Sequence, residues 1–203
     1  MRTYSLISIG ALVSFANLAI CQAPDARNLF ECLRRGDASS VTAAVEKGVD
    51  INTRDADGNT LLMQAAVYAT ATDLEFLLAR GADVNASNKA GHTALIRAIP
   101  DLGKIKLLVE HGADVNASTG GTTPLLIAAG IRSAEDVVRY LVEHGADTKA
   151  VDAQGSDAVM SAALAGAAGN LRILLDAGAS GTKEAKPSQI PQAQRIAKLD
   201  DSA

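Results

Sequence analysis

Apolar and polar positions follow one pattern five times along this chain. Short amphipathic segments, such as LEFLLARG and IKLLVEHG, each end at a glycine, and these glycines are Gly48, Gly81, Gly112, Gly145 and Gly178. Their spacings of 33, 31, 33 and 33 residues indicate a repeat architecture. The apolar residues of each segment fall on one face of a helix, and glycine ends that helix because it tolerates a positive φ.

A second apolar segment begins about 21 residues before each of the last four glycines. Thr60, Thr93 and Thr123 stand at the start of three of these segments, where a threonine hydroxyl can accept a hydrogen bond from a free backbone N–H. Stretches rich in Asn, Asp, Ser and Gly, all turn formers, separate the units. Each unit is therefore predicted to be a helix, a tight turn, a second helix and a projecting turn.

The units resemble ankyrin repeats. The resemblance rests on the period, on GTTPLLIAA at 121–129 and on GADVNA at 81–86 and 112–117. It covers about 27–180 and implies an all-α solenoid of about five stacked helix-turn-helix units with projecting β-turn or hairpin loops. Within the repeat domain of 22–180, the expected repeats span 27–55, 56–88, 89–119, 120–152 and 153–180.

The sequence departs from the family pattern in the middle of the array. The third unit is two residues short, and we expect Pro100 to end its inner helix early because proline cannot continue a helix. The histidine of the family's Thr-Pro-Leu-His word is replaced throughout by apolar residues, so we expect apolar packing where that histidine would bond. These residues are Met63, Ile96, Leu126 and Met160.

The two ends of the array differ in character. The first unit carries charges suited to a solvated terminal cap, at Arg27, Glu31, Arg34 and Arg35. The fifth unit is apolar and is followed by a polar tail, 181–203. Within that tail we expect 191–199 to form a helix that caps the last repeat, since a proline stands at its start. A disordered tail is the alternative.

The first 21 residues have the layout of a secretory signal peptide. A basic start is followed by LISIGALVSFANLAI and then by CQAPD. This apolar run is shorter than the roughly 20 residues of a membrane span. Cleavage before Gln22 would yield an exported protein, periplasmic or secreted. LAIC also resembles a lipobox, so a lipid-anchored chain that retains Cys21 is an alternative, and a retained apolar anchor is another.

Removal of 1–21 would leave Cys32 as a single cysteine. We therefore expect no internal disulfide in the mature domain, with stability coming from packing. Cys32 lies among helix-forming residues at an alanine-like position. It is interpreted as a small buried hydrophobic residue rather than as a reactive thiol.

Composition and charge narrow the class of protein. Apolar residues make up 48% of the chain but aromatic residues only 3%, without tryptophan, which favours closely packed helices over an aromatic-rich cleft. The net charge is −4 and no Lys/Arg cluster occurs, so nucleic acid is not expected as a partner. We expect a monomer that needs no cofactor.

The sequence contains no recognisable catalytic or metal-binding motif. His111 and His144 recur one residue before a helix-ending glycine, where an imidazole interacts favourably with the negative helix end. Asp83, Asp114 and Asp147 also recur. Because they are equivalent by repeat and follow a Gly-Ala turn, they are interpreted as turn-capping residues rather than as a catalytic pair. We expect neither catalytic nor metal-ligating residues.

The array is therefore expected to be a non-catalytic scaffold that binds another protein. A membrane-tethered lipoprotein scaffold, and a periplasmic inhibitor or immunity-type protein that neutralises a toxin or enzyme, are the alternatives. The resemblance implies that turn tips and exposed inner-helix residues contact the partner, with Tyr68 and Arg97 foremost because Tyr and Arg are enriched at binding hot spots. These positions are Asp55, Asp57, Asn59, Gln64, Tyr68, Ser87, Asn88, Lys89, His92, Arg97, Ser118, Thr119, Thr122, Ile127, Asp152 and Gln154.

Overall fold

The computed structural model describes residues 26–118 and 120–181, with side chains from Asn28 onward. The expected signal peptide, the capping helix at 191–199, Thr119 and the side chain of Arg27 lie outside the described residues. Within the described ranges the chain forms ten helices and no β-strand, only an isolated bridge between Arg54 and Thr60. The prediction of an all-α repeat solenoid is confirmed.

The helices come in five pairs, one pair in each expected repeat. The first helix of each pair is called the inner helix and the second the outer helix. Their bounds are α1 Ala26–Arg34 and α2 Ala38–Glu46, α3 Leu61–Tyr68 and α4 Ala71–Ala79, α5 Ala94–Ala98 and α6 Leu102–Glu110, α7 Pro124–Ala129 and α8 Glu135–Glu143, and α9 Ala158–Ala165 and α10 Ala168–Asp176.

The helices stack in two layers. Each inner helix packs on the outer helix of its own repeat and on the inner helix of the next repeat, and the outer helices contact one another in the same order. The core between the layers is aliphatic and continuous along the array, with Leu29, Leu74, Ile105, Leu141 and Leu174 among its fully buried residues. Among the described residues, no helix has the length and apolar character needed to cross a membrane.

The inner helices begin as the sequence predicted. The hydroxyl oxygens of Thr60, Thr93 and Thr123 accept hydrogen bonds from the N–H groups three residues later, at 3.3, 3.4 and 3.3 Å. Asp157 occupies this position in the fifth repeat and accepts from the Met160 N–H at 2.8 Å. The apolar residues that replace the family's histidine are all buried, as expected: Met63, Ile96, Leu126 and Met160.

The third repeat is irregular where proline was expected to act. Helix α5 has only five residues and ends at Ala98, and the Ile99–Pro100 peptide bond is cis. The expectation that the inner helix ends at Pro100 is confirmed. Proline has no N–H to continue the helical ladder, and its ring excludes the helical conformation of the preceding turn.

A ladder of asparagines joins successive repeats beyond their outer helices. The side chain of Asn85 accepts the Asp114 N–H at 2.8 Å and donates to the Gly112 carbonyl at 2.9 Å, both in the next repeat. Asn116 bonds Asp147 and Gly145 in the same way, at 2.7 and 2.9 Å. The aspartates cap their own turns, since Asp114 Oδ1 accepts the Asn116 N–H at 2.8 Å. Their interpretation as turn residues is confirmed.

Cys32 is buried as expected, and its bonding state bears on the expected cleavage. The residue is fully buried in the core. Cys32 is disulfide-bonded in the chain of 203 residues, whereas the expectation of no internal disulfide concerned the chain after removal of 1–21, and that expectation stays a prediction. The expectation depended on losing Cys21, the only other cysteine in the sequence, and Cys21 lies outside the described residues.

Candidate binding surface

One side of the inner-helix layer is open to solvent. In the last four repeats the residues four, seven and eight positions after the N-cap of the inner helix point to one side, either on the helix or directly after its end. We call this surface the inner-helix face. Its exposed and half-exposed members are Val67, Tyr68, Arg97, Pro100, Asp101, Ile127, Gly130, Ile131, Ser161, Leu164 and Ala165.

The inner-helix face exposes large apolar side chains. Val67, Tyr68 and Leu164 are 40%, 47% and 57% exposed, whereas the apolar residues of the core are buried. Ile127 and Ile131, in the fourth repeat, are half-buried. Exposed aromatic and aliphatic groups in a row are typical of a protein-binding surface.

Arg97 is held in place on this face by two hydrogen bonds. Its Nε donates to the Met63 carbonyl at 3.2 Å and its Nη2 donates to Gln64 Oε1 at 3.4 Å. Gln64 in turn donates to Asp55 Oδ2 at 3.4 Å. These contacts join the second and third repeats and fix the direction in which the guanidinium points.

Asp55 organises the turn before α3. Its carboxylate accepts hydrogen bonds from the backbone N–H groups of Asp57 and Asn59, each at 2.9 Å, and from Asn59 Nδ2 at 2.8 Å. Burial of the carboxylate raises its pKa, but the hydrogen bonds from Asn59, Asp57 and Gln64 outweigh burial and hold the pKa of Asp55 below its usual value. Asp55 is therefore an ionised structural acceptor.

The expected exposure of Asn59 and Gln64 is wrong. Both side chains are buried, because each bonds to Asp55 inside the turn rather than pointing to solvent. Asn88 is half-buried and extends the same network, donating from its Nδ2 to Asn59 Oδ1 at 2.7 Å. Sequence position alone could not separate these residues from surface ones, because polar side chains at turns serve both roles.

The remaining predicted contact residues stay at or near the surface. Asp57, Ser87, Lys89, Ser118 and Gln154 are exposed, while His92, Thr122 and Asp152 are half-buried. Asp152 accepts the backbone N–H groups of Gln154 and Ser156 at 2.8 and 2.9 Å, so it shapes its turn as Asp55 does. Partner contact at these positions remains a prediction.

The sequence reasoning missed several residues of the face, among them the large side chains of Val67, Ile131 and Leu164, and also Arg132 beside it. Val67 and Leu164 lie three positions beyond Gln64 and Ser161, and the helical i, i+3 relation would have found them. Ile131 and Arg132 follow the end of α7, where the tertiary structure alone shows their side.

The recurring histidines lie on the outer helices, away from this face. His111 and His144 are exposed, and their Nδ1 atoms lie 2.9 and 2.8 Å from the carbonyls of Leu107 and Tyr140, one helical turn earlier. Both therefore sit at helix C-termini, as predicted. Within the described ranges, no three His, Cys, Asp or Glu residues come together in a group that could hold a metal ion.

Comparison with known proteins agrees with this architecture. A family model described as ankyrin repeats in three copies matches residues 29–119 and again 102–185. The chain belongs to the ankyrin repeat family. Ankyrin repeats are protein–protein interaction modules that present stacked helices and turns to a partner.

A single region is also similar to a much larger curated protein. The chain is 34% identical over 102 residues to E3 ubiquitin-protein ligase Ufd4 of Drosophila melanogaster. The match covers 49% of this chain and 4% of that protein. The similarity thus concerns a small part of the ligase.

Proposed function

We propose that this protein binds another protein through its inner-helix face, without catalysing a reaction, and that it acts after export from the cytoplasm. The observation that carries the proposal is the apolar row on that face. Val67 and Leu164 are exposed at matching positions of the second and fifth repeats, with Tyr68 directly after Val67 and with an Arg97 that is already oriented on the same face. Such an arrangement favours binding, because rigid aromatic and arginine groups lose little conformational entropy on association.

The ionisable groups support a non-catalytic role. Asp37 and Asp55 have lowered pKa values, which keeps both carboxylates ionised and not poised for proton transfer near neutral pH. Hydroxyl hydrogen bonds from Ser39 and Ser40 lower the pKa of Asp37 against the opposing effect of burial, and Asp37 caps the start of α2. Both carboxylates therefore have structural tasks.

A double variant and a cross-linker test the binding role. The mature protein, immobilised, is exposed to proteins of its own exported compartment, and the Tyr68→Ala/Arg97→Ala double variant is compared with wild type. Loss of one hot-spot side chain commonly costs about 2 kcal/mol or more, so we expect partner affinity to fall more than about tenfold. Unchanged affinity would contradict the choice of surface.

The cross-linker locates the contact independently of affinity. A photoreactive residue at Tyr68 is expected to capture the partner, whereas the same residue at Arg172, exposed on outer helix α10, is expected not to. The variants must keep the thermal unfolding midpoint of the wild type within a few degrees for the comparison to hold. Capture at Arg172 but not at Tyr68 would place binding on the outer helices.

Export is supported by the opening sequence, which has the layout of a secretory signal peptide. The disulfide at Cys32 bears on the cleavage site. Cleavage before Gln22 would remove Cys21, the one other cysteine of the chain, and lipidation would consume its thiol.

Intact mass of the mature chain tests these alternatives together. A chain that retains an unmodified Cys21 and gains the mass of two hydrogens on reduction would fit an exported protein with an internal disulfide. A Gln22 start would leave Cys32 to bond with another molecule. A lipid-modified Cys21 would favour the membrane-tethered scaffold, and an intact leader in a cytosolic protein would contradict export.

A further inference from the structure

We infer that the segment recognised by the inner-helix face is an extended stretch of a partner protein in which large apolar residues alternate with carboxylates. The inference rests on the proposed function and adds the chemistry of the partner. It is argued from the exposed apolar row, from the charge of the inner-helix side and from the orientation of two arginines.

The apolar exposure belongs to the face and not to the end of the stack. Val67 is exposed in the second repeat as Leu164 is in the fifth, although Val67 has neighbouring repeats on both sides. The outer helices behave differently. Leu78 and Leu175 each lie three positions before a helix-ending glycine. Leu78, in the second repeat, is buried, whereas Leu175, in the last repeat, is 44% exposed. Leu175 is exposed because no described repeat follows it, whereas Val67 is exposed although a repeat follows it, and Leu164 stands at the position that matches Val67.

The inner-helix side carries a small excess of positive charge although the whole chain carries a net charge of −4. On the inner helices and the turns that follow them, four described cationic side chains stand against the three carboxylates of Glu31, Asp37 and Asp101. Arg34 and Arg35 both contact Glu31, at 3.8 and 2.9 Å. The other two cations are Arg97 and Arg132. The excess of positive charge favours a partner with carboxylates.

Two of these arginines are oriented and, among the described residues, are not paired with a carboxylate. Arg97 uses its Nε and Nη2 to bond Met63 and Gln64. Arg132 donates its Nε to the Ala165 carbonyl of the next repeat at 2.6 Å. A guanidinium has five N–H donors in a rigid plane, so anchoring through Nε directs the remaining edge outward, in the geometry that binds a carboxylate bidentately.

The spacing of the face fits an extended chain. Packed helices lie about 10 Å apart, so the row from Val67 to Leu164 spans about 30 Å over three helix-to-helix steps. An extended chain rises about 3.3 Å per residue, and about nine residues cover that length with every third residue over a new helix. A helical partner would need about 20 residues for the same distance. The extended segment meets each repeat in turn.

The test is selection from a displayed library of random peptides about twelve residues long, enough to span the face when extended. The bait is the full mature protein. We expect the selected pool to gain Asp and Glu together with Leu, Ile or Phe, and to lose Lys and Arg, relative to the unselected library. Selection of basic peptides, or of no sequence preference, would overturn the inference.

Binding of the most enriched peptide is then measured by fluorescence anisotropy. Leu164→Ser is expected to weaken binding about fivefold or more, since truncating a contacting apolar side chain commonly costs 1 kcal/mol or more. The matched control is Leu175→Ser, an exposed leucine on the outer helix of the same repeat, which is expected to leave affinity unchanged. Equal effects of the two variants would count against the inner-helix face.

A second pair of variants tests the contribution of charge to binding. Arg132→Gln is expected to weaken binding several-fold and to reduce its salt dependence, whereas Arg139→Gln, at an exposed arginine of α8, is expected to do neither. If a native partner cross-links at Tyr68 but its contacting segment is basic or helical, the inference fails and the proposed function stands. If nothing cross-links at Tyr68, the proposed function fails as well.

Discussion

At the scale of single residues, the repeated sequence motifs connect each unit to the next one. The repeated Asn of GADVNA bonds the following unit through both its amide oxygen and its amide nitrogen, while the Asp before it caps the local turn. In the fourth unit the same position is Lys149, which ends the ladder because lysine has no acceptor. The repeated letters therefore stabilise the array.

Removing one step of the ladder should lower stability measurably. Asn116→Ala removes the bonds to the Asp147 N–H and the Gly145 carbonyl, and we expect the free energy of unfolding to fall by about 1–2 kcal/mol in urea denaturation. Lys149→Ala, at the equivalent position of the next repeat, is the control and is expected to change it by less than about 0.5 kcal/mol. Equal losses would show that the cross-repeat bonds contribute nothing.

The turn carboxylates predict a loss of stability in acid. Because the pKa values of Asp37 and Asp55 are lower in the folded chain than in the unfolded one, both stabilise the fold above the unfolded pKa, near 4. That contribution disappears as the pH falls through the lower folded values. The Asp37→Asn/Asp55→Asn variant is expected to unfold at a temperature that depends less on pH between about 5 and 3. A profile parallel to wild type would refute this.

At the scale of helices, polar side chains on outer helices cap the inner helices of neighbouring repeats. Lys104 Nζ donates to the Ala66 carbonyl at 3.1 Å although lysine is rarely buried. Asn170 is fully buried, and its Nδ2 lies 3.2, 3.0 and 2.7 Å from the carbonyls of Ala128, Ala129 and Ile131. Carbonyls at a helix end lack intrahelical partners, so these contacts cap the C-termini of α3 and α7.

The Asn170 contacts should contribute more than a surface bond. Asn170→Ala leaves the buried end of α7 without its donor, and we expect the free energy of unfolding to fall by about 2–3 kcal/mol. Arg172→Ala, exposed two residues later on the same helix, is expected to stay within about 0.5 kcal/mol of wild type. Urea denaturation followed by circular dichroism measures both. A small effect at Asn170 would mean that solvent replaces the lost donor.

At the scale of the whole molecule, each repeat contacts only its neighbours, so the ends of the stack limit its stability. The last repeat exposes Leu175. The described residues end beside α9, since a Cβ built on Gly181 would lie 3.7 Å from Val159 Cγ1. The capping helix at 191–199 remains a prediction.

Truncation after Gly181 tests that cap. If the tail covers the last repeat, its removal should speed hydrogen exchange in α9 and α10 several-fold and leave α3 and α4 unchanged, because a terminal repeat opens before the central ones. A variant that replaces 182–203 with a Gly/Ser chain of equal length separates loss of contacts from loss of length. Identical exchange in α9 and α10 would indicate a tail without a capping role.

Particular residues show how far the sequence could be interpreted. Thr60 and Pro100 act through the backbone of their own turn, so their effects on the inner helices were predictable and are confirmed. Gln64 was not predictable in the same way. It was expected at the surface but is buried against Asp55. Its burial depends on the turn that covers it.

The period, the helix starts and stops, and hence the ankyrin architecture follow from the sequence, because glycine φ angles, threonine caps and apolar periodicity act within a few residues of one another. Which polar residues join the repeats and which face a partner depended on the tertiary structure. Asn85 and Arg97 have their hydrogen-bonding partners about thirty residues away along the chain, and only stacking brings those partners within reach. The inner-helix face is likewise a product of stacking, since its rows combine residues from separate repeats.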